Sequence, residues 1–419
     1  MEENMKIRKF LSTFLIMLIA VFSFVACDKD NTTDENTDNE IVTLTFWHTY
    51  SEGEAAVFDE QVIPAFEAAY PNIKIDSVRM PYDGLKQQVI AGAISDTGPD
   101  VMRMDIIWVP EFAELGALEN ISGYEGFDTL STKFFEGPLS TNYFDGSYYG
   151  VPLNTNTKVG IFNNALMAEL GIDEPITTFD QLLTYKDQLD EGEYLLGVSG
   201  TGSWGMLPYF WTLGGSVTND DYTVATGYIN SQDSIDALAT LKSWYDQGII
   251  GPSVLGEEPN TWGGMGEGNY LLIDDGPWYY SIIGDSAVNG TTAALLPAGE
   301  AGSISVVGGE NLVMLANSAH KDAAWTFMQW MSTMEPQIMM ASAGMIPTLV
   351  EAANSDDAKT APYIQAYFDQ LETANPRTPS PNWASIDELL GLAFESVFRG
   401  EKTPEQALND IASQIDALL

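Results

Sequence analysis

The side chains that carry most enzyme chemistry are scarce in this chain. It has two histidines, His48 and His320, and one cysteine, Cys27. A Cys/His metal cluster is therefore excluded, a His-based triad would have to use one of these two residues, and no intrachain disulfide can form. Carboxylates are the opposite case, with Asp and Glu numbering 60 against 17 Lys and Arg for a formal net charge of −43. At that density chance pairs of acids are common, so composition gives no support to a paired-carboxylate hydrolase. What remains is binding chemistry. Of the ten Trp, one sits in local sequence that favours exposure, and a second follows a strand where it can be wall or core. Trp204 lies in a glycine-rich run (SGTGSWG, residues 199–205), and Trp278 follows Gly276-Pro277. Trp211, flanked by Tyr209, Phe210 and Leu213, reads as core. Asp105 lies just past a short strand-like run and either caps the next helix or offers its carboxylate to a ligand. Trp108, close by, can stack or can pack that helix. Trp47 reads as half core and half cleft wall, and His48 as a polar lip residue.

The charge balance narrows the partners. A nucleic acid needs basic stripes to displace counterions, and there are none. Only five cations are Arg: Arg8, Arg79, Arg103, Arg377 and Arg399. An anionic ligand is expected to find few cationic partners. The acidity reads as a solvated surface, with an acidic site for a cationic ligand as the second reading.

These residues need elements to hold them. With 419 residues and 45% apolar content, the chain can build a large core, more readily as two lobes than one. Residues 41–47 alternate as a strand does. Phe58, Val62, Phe66 and Tyr70 recur at fours over 55–70, a helical stripe. Ile73, Ile75 and Ser77 share a strand face, 82–94 is helical again, and 100–104 is a short strand followed by a helix over 109–115. This β-α-β-α-β order predicts right-handed crossovers and a mostly parallel sheet. Ligands of such sheets bind beyond the carboxyl ends of the strands, which points at Trp47-His48 and at Asp105. Near the C-terminus, Ile386, Leu390, Phe394 and Val397 form a helical face, and Thr403 with Gln406 predicts a capping box.

The N-terminus reads as an address. Lys6, Arg8 and Lys9 precede an almost wholly apolar run from Phe10 to Ala26, the pattern of a secretory signal. It ends in Phe24-Val25-Ala26-Cys27, which resembles the lipobox of bacterial lipoproteins, with Phe24 where Leu is usual. The resemblance implies a diacylated Cys27 that anchors the protein on the outer face of the cell membrane, with residues 1–26 removed. The alternative is an uncleaved membrane anchor. Residues 28–40 (DKDNTTDENTDNE) offer nothing apolar to bury, so 27–40 is expected to be a disordered tether.

From residue 41 onward several motifs recur together. They are TLTFWH; Phe66 with Tyr70-Pro71-Asn72-Ile73; Gly98-Pro99-Asp100-Val101 followed by Asp105 and Trp108; Tyr149-Gly150-Val151-Pro152 leading to Ile161-Phe162-Asn163; Asp274-Asp275-Gly276-Pro277-Trp278; and the terminal RGEKTPEQALNDIASQI. In this order and spacing the chain resembles the sugar-binding proteins of ABC importers, the family that includes the maltose-binding protein. The resemblance implies an α/β fold of two lobes of the type II periplasmic-binding-protein kind, with the ligand in the cleft between them. It implies one lobe from 41–153 plus 308–347 and another from 154–307 plus 348–419, with crossings near Leu153, Gly308-Gly309 and Ile346. Partners would be a sugar and importer permease subunits. The protein would act as a monomer, without cofactor, metal or catalysis.

A sugar ring has a flat C–H patch that suits an aromatic face and a rim of hydroxyls that suits short polar groups. By resemblance Trp278 and Trp204 are the stacking residues, and Asp105 and Asn156 occupy hydroxyl-binding positions. The maltose-binding protein has Glu where Asn156 stands, so the hydroxyl it would serve is open. Glu310 and Asn311 follow the glycine crossing toward the cleft, and the loop before Trp383 borders the cleft in relatives. Three readings compete with sugar import: a polyamine or other cationic ligand on the same fold, an extracellular glycosidase, and a sugar sensor serving a receptor.

Overall fold

The computed structural model describes residues 41–95 and 97–419. The signal-like run, Cys27 and the acidic segment up to Glu40 lie outside the described residues. Thirteen short strands follow one another: β1 Val42–His48, β2 Ile73–Arg79, β3 Val101–Asp105, β4 Tyr143–Phe144, β5 Ser147–Tyr148, β6 Gly150–Thr157, β7 Val159–Asn163, β8 Tyr194–Gly197, β9 Tyr270–Asp275, β10 Thr291–Ala294, β11 Ser305–Met314, β12 Ile346–Pro347 and β13 Ala374–Asn375.

They form two main sheets. The first runs β12-β6-β11-β3-β1-β2, with β13 paired to the start of β11; the second runs β10-β7-β9-β8. The two strands flanking β1 are parallel to it, as the β-α-β order predicts. The sheet is not mostly parallel, because β11 joins β3 antiparallel and β6 joins β11 antiparallel. The reason is connectivity. Only chain that returns through a helix crossover lies parallel, whereas β6 and β11 are long strands of the first sheet whose chain runs straight on to or from a strand of the second. β6 leads through Lys158 directly into β7, and β11 follows shortly after β10. Thr155 pairs with both Gly309 and Ile346, and Asn154 with both Glu310 and Pro347, so three crossing segments lie side by side.

Helices cover both faces of each sheet. In the first lobe, Leu44 and Phe46 of β1 meet Phe58, Val62 and Phe66 of the following helix, while Leu85, Val89, Met102 and Phe112 fill the other face. That following helix opens on a capping box from Ser51 and Glu54. It widens to π over Phe58–Val62 just before Pro64, whose missing N–H and ring disfavour a regular turn there. In the second lobe, Phe162, Leu196, Phe210 and Leu241 pack with Phe394 and Ile411 of the C-terminal helices, and Ile161, Ile273, Tyr280 and Tyr367 fill the opposite face. The last helix, Pro404–Asp416, starts on the capping box of Thr403 and Gln406. Beyond β12, Leu349 and Ala352 still belong to the first-lobe core. Among the described residues no helix is long and apolar enough to cross a membrane.

Candidate functional site

A cavity of about 860 Å³ opens between the lobes, where the carboxyl ends of β1, β2, β3 and β9 meet the crossing strands. The first lobe contributes strand ends and the turns that follow them. Arg103 and Asp105 stand two apart on β3 and so share one side of the strand, while Tyr50 comes from the turn after β1 and Glu54 from the start of the helix that follows. The second lobe contributes Ser203 and Trp204 at the start of the helix Ser203–Thr212, and Trp278 directly after Gly276-Pro277. Asn156 of β6 and Gly308 and Glu310 of β11 form the floor.

The first-lobe wall is built from ion pairs. Arg103 reaches Glu310 at 2.7 Å and donates to Thr49 Oγ1 at 2.5 Å, with its guanidinium 4.9 Å from the centre of the Tyr50 ring. Glu310 Oε2 also accepts from Asn154 Nδ2 at 2.6 Å. Burial pushes the Glu310 carboxyl above its usual range, and the Arg103 charge works against that rise. Asp105 caps its helix through Oδ1, which accepts from Ile107 N at 3.1 Å, while Oδ2 accepts from Tyr82 Oη at 2.9 Å. The two roles open for Asp105 are thus compatible, since one oxygen caps and the other faces the cavity.

The second-lobe wall is aromatic. The Trp204 and Trp278 rings lie 5.8 Å apart at 34°. Both depend on glycine for room. A Cβ on Gly276 would fall 2.2 Å from the Trp278 ring, and one on Gly308 would fall 2.1 Å from Asn156 Oδ1 and 2.8 Å from the Trp204 ring. Behind the rings is a buried charge cluster. Lys158 pairs with Asp274 and donates to Trp204 O at 3.0 Å. Asp275 accepts from Trp262 Nε1 and from Gly276 N. Burial raises the Asp275 carboxyl to about 6, against the pull of Lys158 and of the Trp262 hydrogen bond.

Of the residues singled out from the sequence, Trp278, Trp204, Asp105, Asn156 and Glu310 line the cavity. Trp47, His48, Trp108, Asn311 and Trp383 do not, and for these the expectation of ligand contact is corrected. His48 is not a lip residue. It is fully buried against Phe46 and Tyr50, its Nδ1 accepts from Tyr50 N, and its Nε2 meets Ser77 Oγ at 2.9 Å. Burial, then the charges of Arg103 and Arg79, lower its pKa to about 3. Trp47, on the opposite side of β1, packs on the Met104–Phe112 side of the sheet. Trp108 is buried and meets the cavity only through Tyr82, whose ring lies 5.5 Å away. The Asn311 side chain turns into the first lobe and bonds with Asn142 at 2.8 Å and with Thr141. Trp383 begins a helix whose apolar face lies in the second core.

The sequence reading missed the arginines. Three of the five, Arg79, Arg103 and Arg377, line this one cavity beside four carboxylates, Glu54, Asp105, Glu310 and Asp387. Arg103 was findable, since strand alternation puts it on the side of Asp105. Arg377 and Asp387 come from the segment after β13 and the helix Trp383–Phe398, and no local pattern marks them. Several cavity groups have no hydrogen-bond partner in the protein among the described residues: Asn156 Oδ1, Ser203 Oγ, Tyr50 Oη, Arg103 Nε and Arg377 Nε. A buried polar atom left so costs about 1–3 kcal/mol, which a ligand with both donors and acceptors can recover.

Comparison with known proteins gives a consistent result. The family profile described as bacterial extracellular solute-binding protein matches residues 51–338. A binding protein of Brucella abortus is 25% identical over 370 residues, covering 86% of this chain and 89% of its own. The maltotriose-binding protein of Pyrococcus abyssi is 26% identical over 376 residues, covering 86% of this chain and 78% of its own. Among solved structures, the GacH receptor of Streptomyces glaucescens, studied unliganded and with acarbose, superposes with a TM-score of 0.81 at 22% identity, covering 90% of this chain and 98% of its own.

Proposed function

Because the chain belongs to the bacterial extracellular solute-binding protein family, we propose that its cleft captures a carbohydrate of two or more units for an ABC importer. The observation that carries this reading is the pairing of unlike walls. Indole faces on one lobe suit the C–H patch of a sugar ring, and the polar atoms of the other lobe and floor suit its hydroxyl rim. The sugars bound by the relatives agree with it. Capture proceeds by closure of one lobe, 41–153 plus 308–347 and the segment through Ala352 that packs on its core, against the rest of the described body, about the three paired crossings. The ligand biases open and closed populations through contacts made only in the closed state. The protein works as a monomer and turns nothing over. Lipid on Cys27 holds it on the outer face of the membrane, where a tether keeps the capture domain close to the permease.

The cationic-ligand reading loses support at the site. The Arg377 guanidinium and the Lys158 amine already lie 5.1 and 5.8 Å from the Trp204 ring centre. A thermal-shift screen of the full-length protein against neutral and acidic oligosaccharides, amino sugars and polyamines tests the proposal, since a ligand of the folded state raises apparent stability by mass action. A shift with polyamines alone would sink the carbohydrate reading, as would release of product from a bound oligosaccharide.

A further inference from the structure

We propose that the sugar read by this cleft carries a carboxylate, as a uronate unit, and that Arg377 holds it. The inference rests on the carbohydrate reading and adds a charge to the ligand. It begins with distribution. In a chain of net charge −43 with five arginines, three line one cavity.

The carboxylates in that cavity are engaged by the wall. Glu310 is taken by Arg103 and Asn154, and Asp387 accepts from Ser203 N at 2.8 Å. Glu54 accepts from Ser51 N at 2.7 Å, and Asp105 accepts from Tyr82 and Ile107. The arginines keep donors to spare. Arg377 makes no hydrogen bond to the protein among the described residues. Its side chain is only 8% exposed, its Nε is buried without a partner, and its one ion pair, with Asp105 at 3.8 Å, is too long for a hydrogen bond. Its guanidinium lies over Trp204, one of the two indoles placed to stack on a sugar ring. Arg79, at the mouth, spends only Nε, on Tyr50 O at 2.8 Å, and pairs with no carboxylate among the described residues.

A guanidinium taken out of water with only a long ion pair and no hydrogen-bond acceptor is costly to keep. A neutral hydroxyl would recover little of that cost and could be read by an amide. A carboxylate offers two acceptor oxygens in the geometry of the guanidinium fork, with charge-assisted bonds about twice as strong as neutral ones. The acidic surface opposes an anion at long range, where salt screens it, and the cavity carboxylates oppose it nearby, so direct contact with a guanidinium has to outweigh them. Recognition must therefore be local, and Arg377 is local.

The test is calorimetric titration of the full-length protein with matched pairs: galacturonate disaccharide beside galactobiose, and cellobiouronic acid beside cellobiose. The uronate of at least one pair should bind about tenfold or more tighter than its neutral parent, and raising salt from about 50 to about 500 mM should narrow the gap. Arg377→Gln should cost that uronate about tenfold more than it costs the parent, and Arg377→Lys should restore only part of the difference. Circular dichroism of both variants checks that they fold; if Arg377→Gln does not, the Lys variant and the salt series carry the test. Neutral parents that bind as well as their uronates overturn the inference and leave the carbohydrate reading standing. Failure of every member of both pairs to bind overturns the inference and counts against the carbohydrate reading as well.

Discussion

The two walls of the cleft are made of opposite materials. The first-lobe wall is charged, with Arg103 locked to Glu310 and Asp105 shared between a helix cap and Tyr82. The second-lobe wall is chiefly two indoles, flanked by Arg377 and Asp387, with Lys158, Asp274 and Asp275 buried behind them. The charged wall stands on strand ends, where a rigid ladder can hold partners at hydrogen-bonding distance. The aromatic wall stands on helix starts and a glycine turn, where rings need room more than register. The comparison assigns different work to each. Damage to the first wall should reach stability as well as binding, whereas damage to the second should reach binding first.

The largest effect is expected behind the first wall. His48 is buried neutral, and its pKa falls from 6.5 to about 3. Its folded pKa lies below the unfolded one, so the unfolded chain takes up the proton first as pH drops. The stability it contributes is present above about pH 6.5 and is lost progressively toward pH 3, in total on the order of 4–5 kcal/mol. Urea unfolding across this range, with and without His48→Gln, measures it; an unchanged pH slope in the variant would remove His48 as the source. Next is Glu310→Ala, which strands Arg103 in a buried site and should cost about 3–5 kcal/mol of stability by the same assay. A variant that keeps its stability and loses only ligand affinity would erase the distinction between the walls.

The fold was legible because its signals are periodic: Leu44 and Phe46 alternate on β1, Phe58, Val62 and Phe66 recur at fours, and Thr403 with Gln406 marks a cap. The crossing strands were less so, since β6 is buried along its whole length and shows no alternation. The site was legible where glycine betrays a ring, at Trp204 and Trp278. It was opaque at Arg377, which reaches the cavity from a segment more than two hundred residues away from Asp105, and at His48, whose burial depends on Tyr50 and Ser77 closing round it.

On the second wall the prediction is of another kind. Trp278 is half-buried, so Trp278→Ala should cost about 2–4 kcal/mol of ligand binding, as an aromatic anchor does. Stability should fall by less than the about 3–5 kcal/mol of a fully buried Trp. Calorimetric titration and urea unfolding of the one variant separate the two. Unchanged affinity with much easier unfolding would take Trp278 out of the site and leave the aromatic wall without its main surface.

The smallest effect has the opposite sign to that of His48. Asp275 is buried and its carboxyl is raised from 3.8 to about 6. Its folded pKa lies above the unfolded one, so between these values the folded state binds the proton more tightly. Stability from this group therefore rises as pH falls from about 6 to 3.8, by on the order of 2–3 kcal/mol, while His48 removes stability over an overlapping window. Of these two contributions, that of His48 is the larger over the full range. Asp275→Asn removes the opposing contribution and keeps an oxygen to accept from Trp262. Its stability should therefore fall more steeply than that of the wild type between pH 6 and 4, and adding His48→Gln should remove that extra slope. If Asp275→Asn leaves the slope unchanged, Lys158 neutralises the pair well enough that the second wall does not titrate. The contrast between the lobes would then rest on geometry alone.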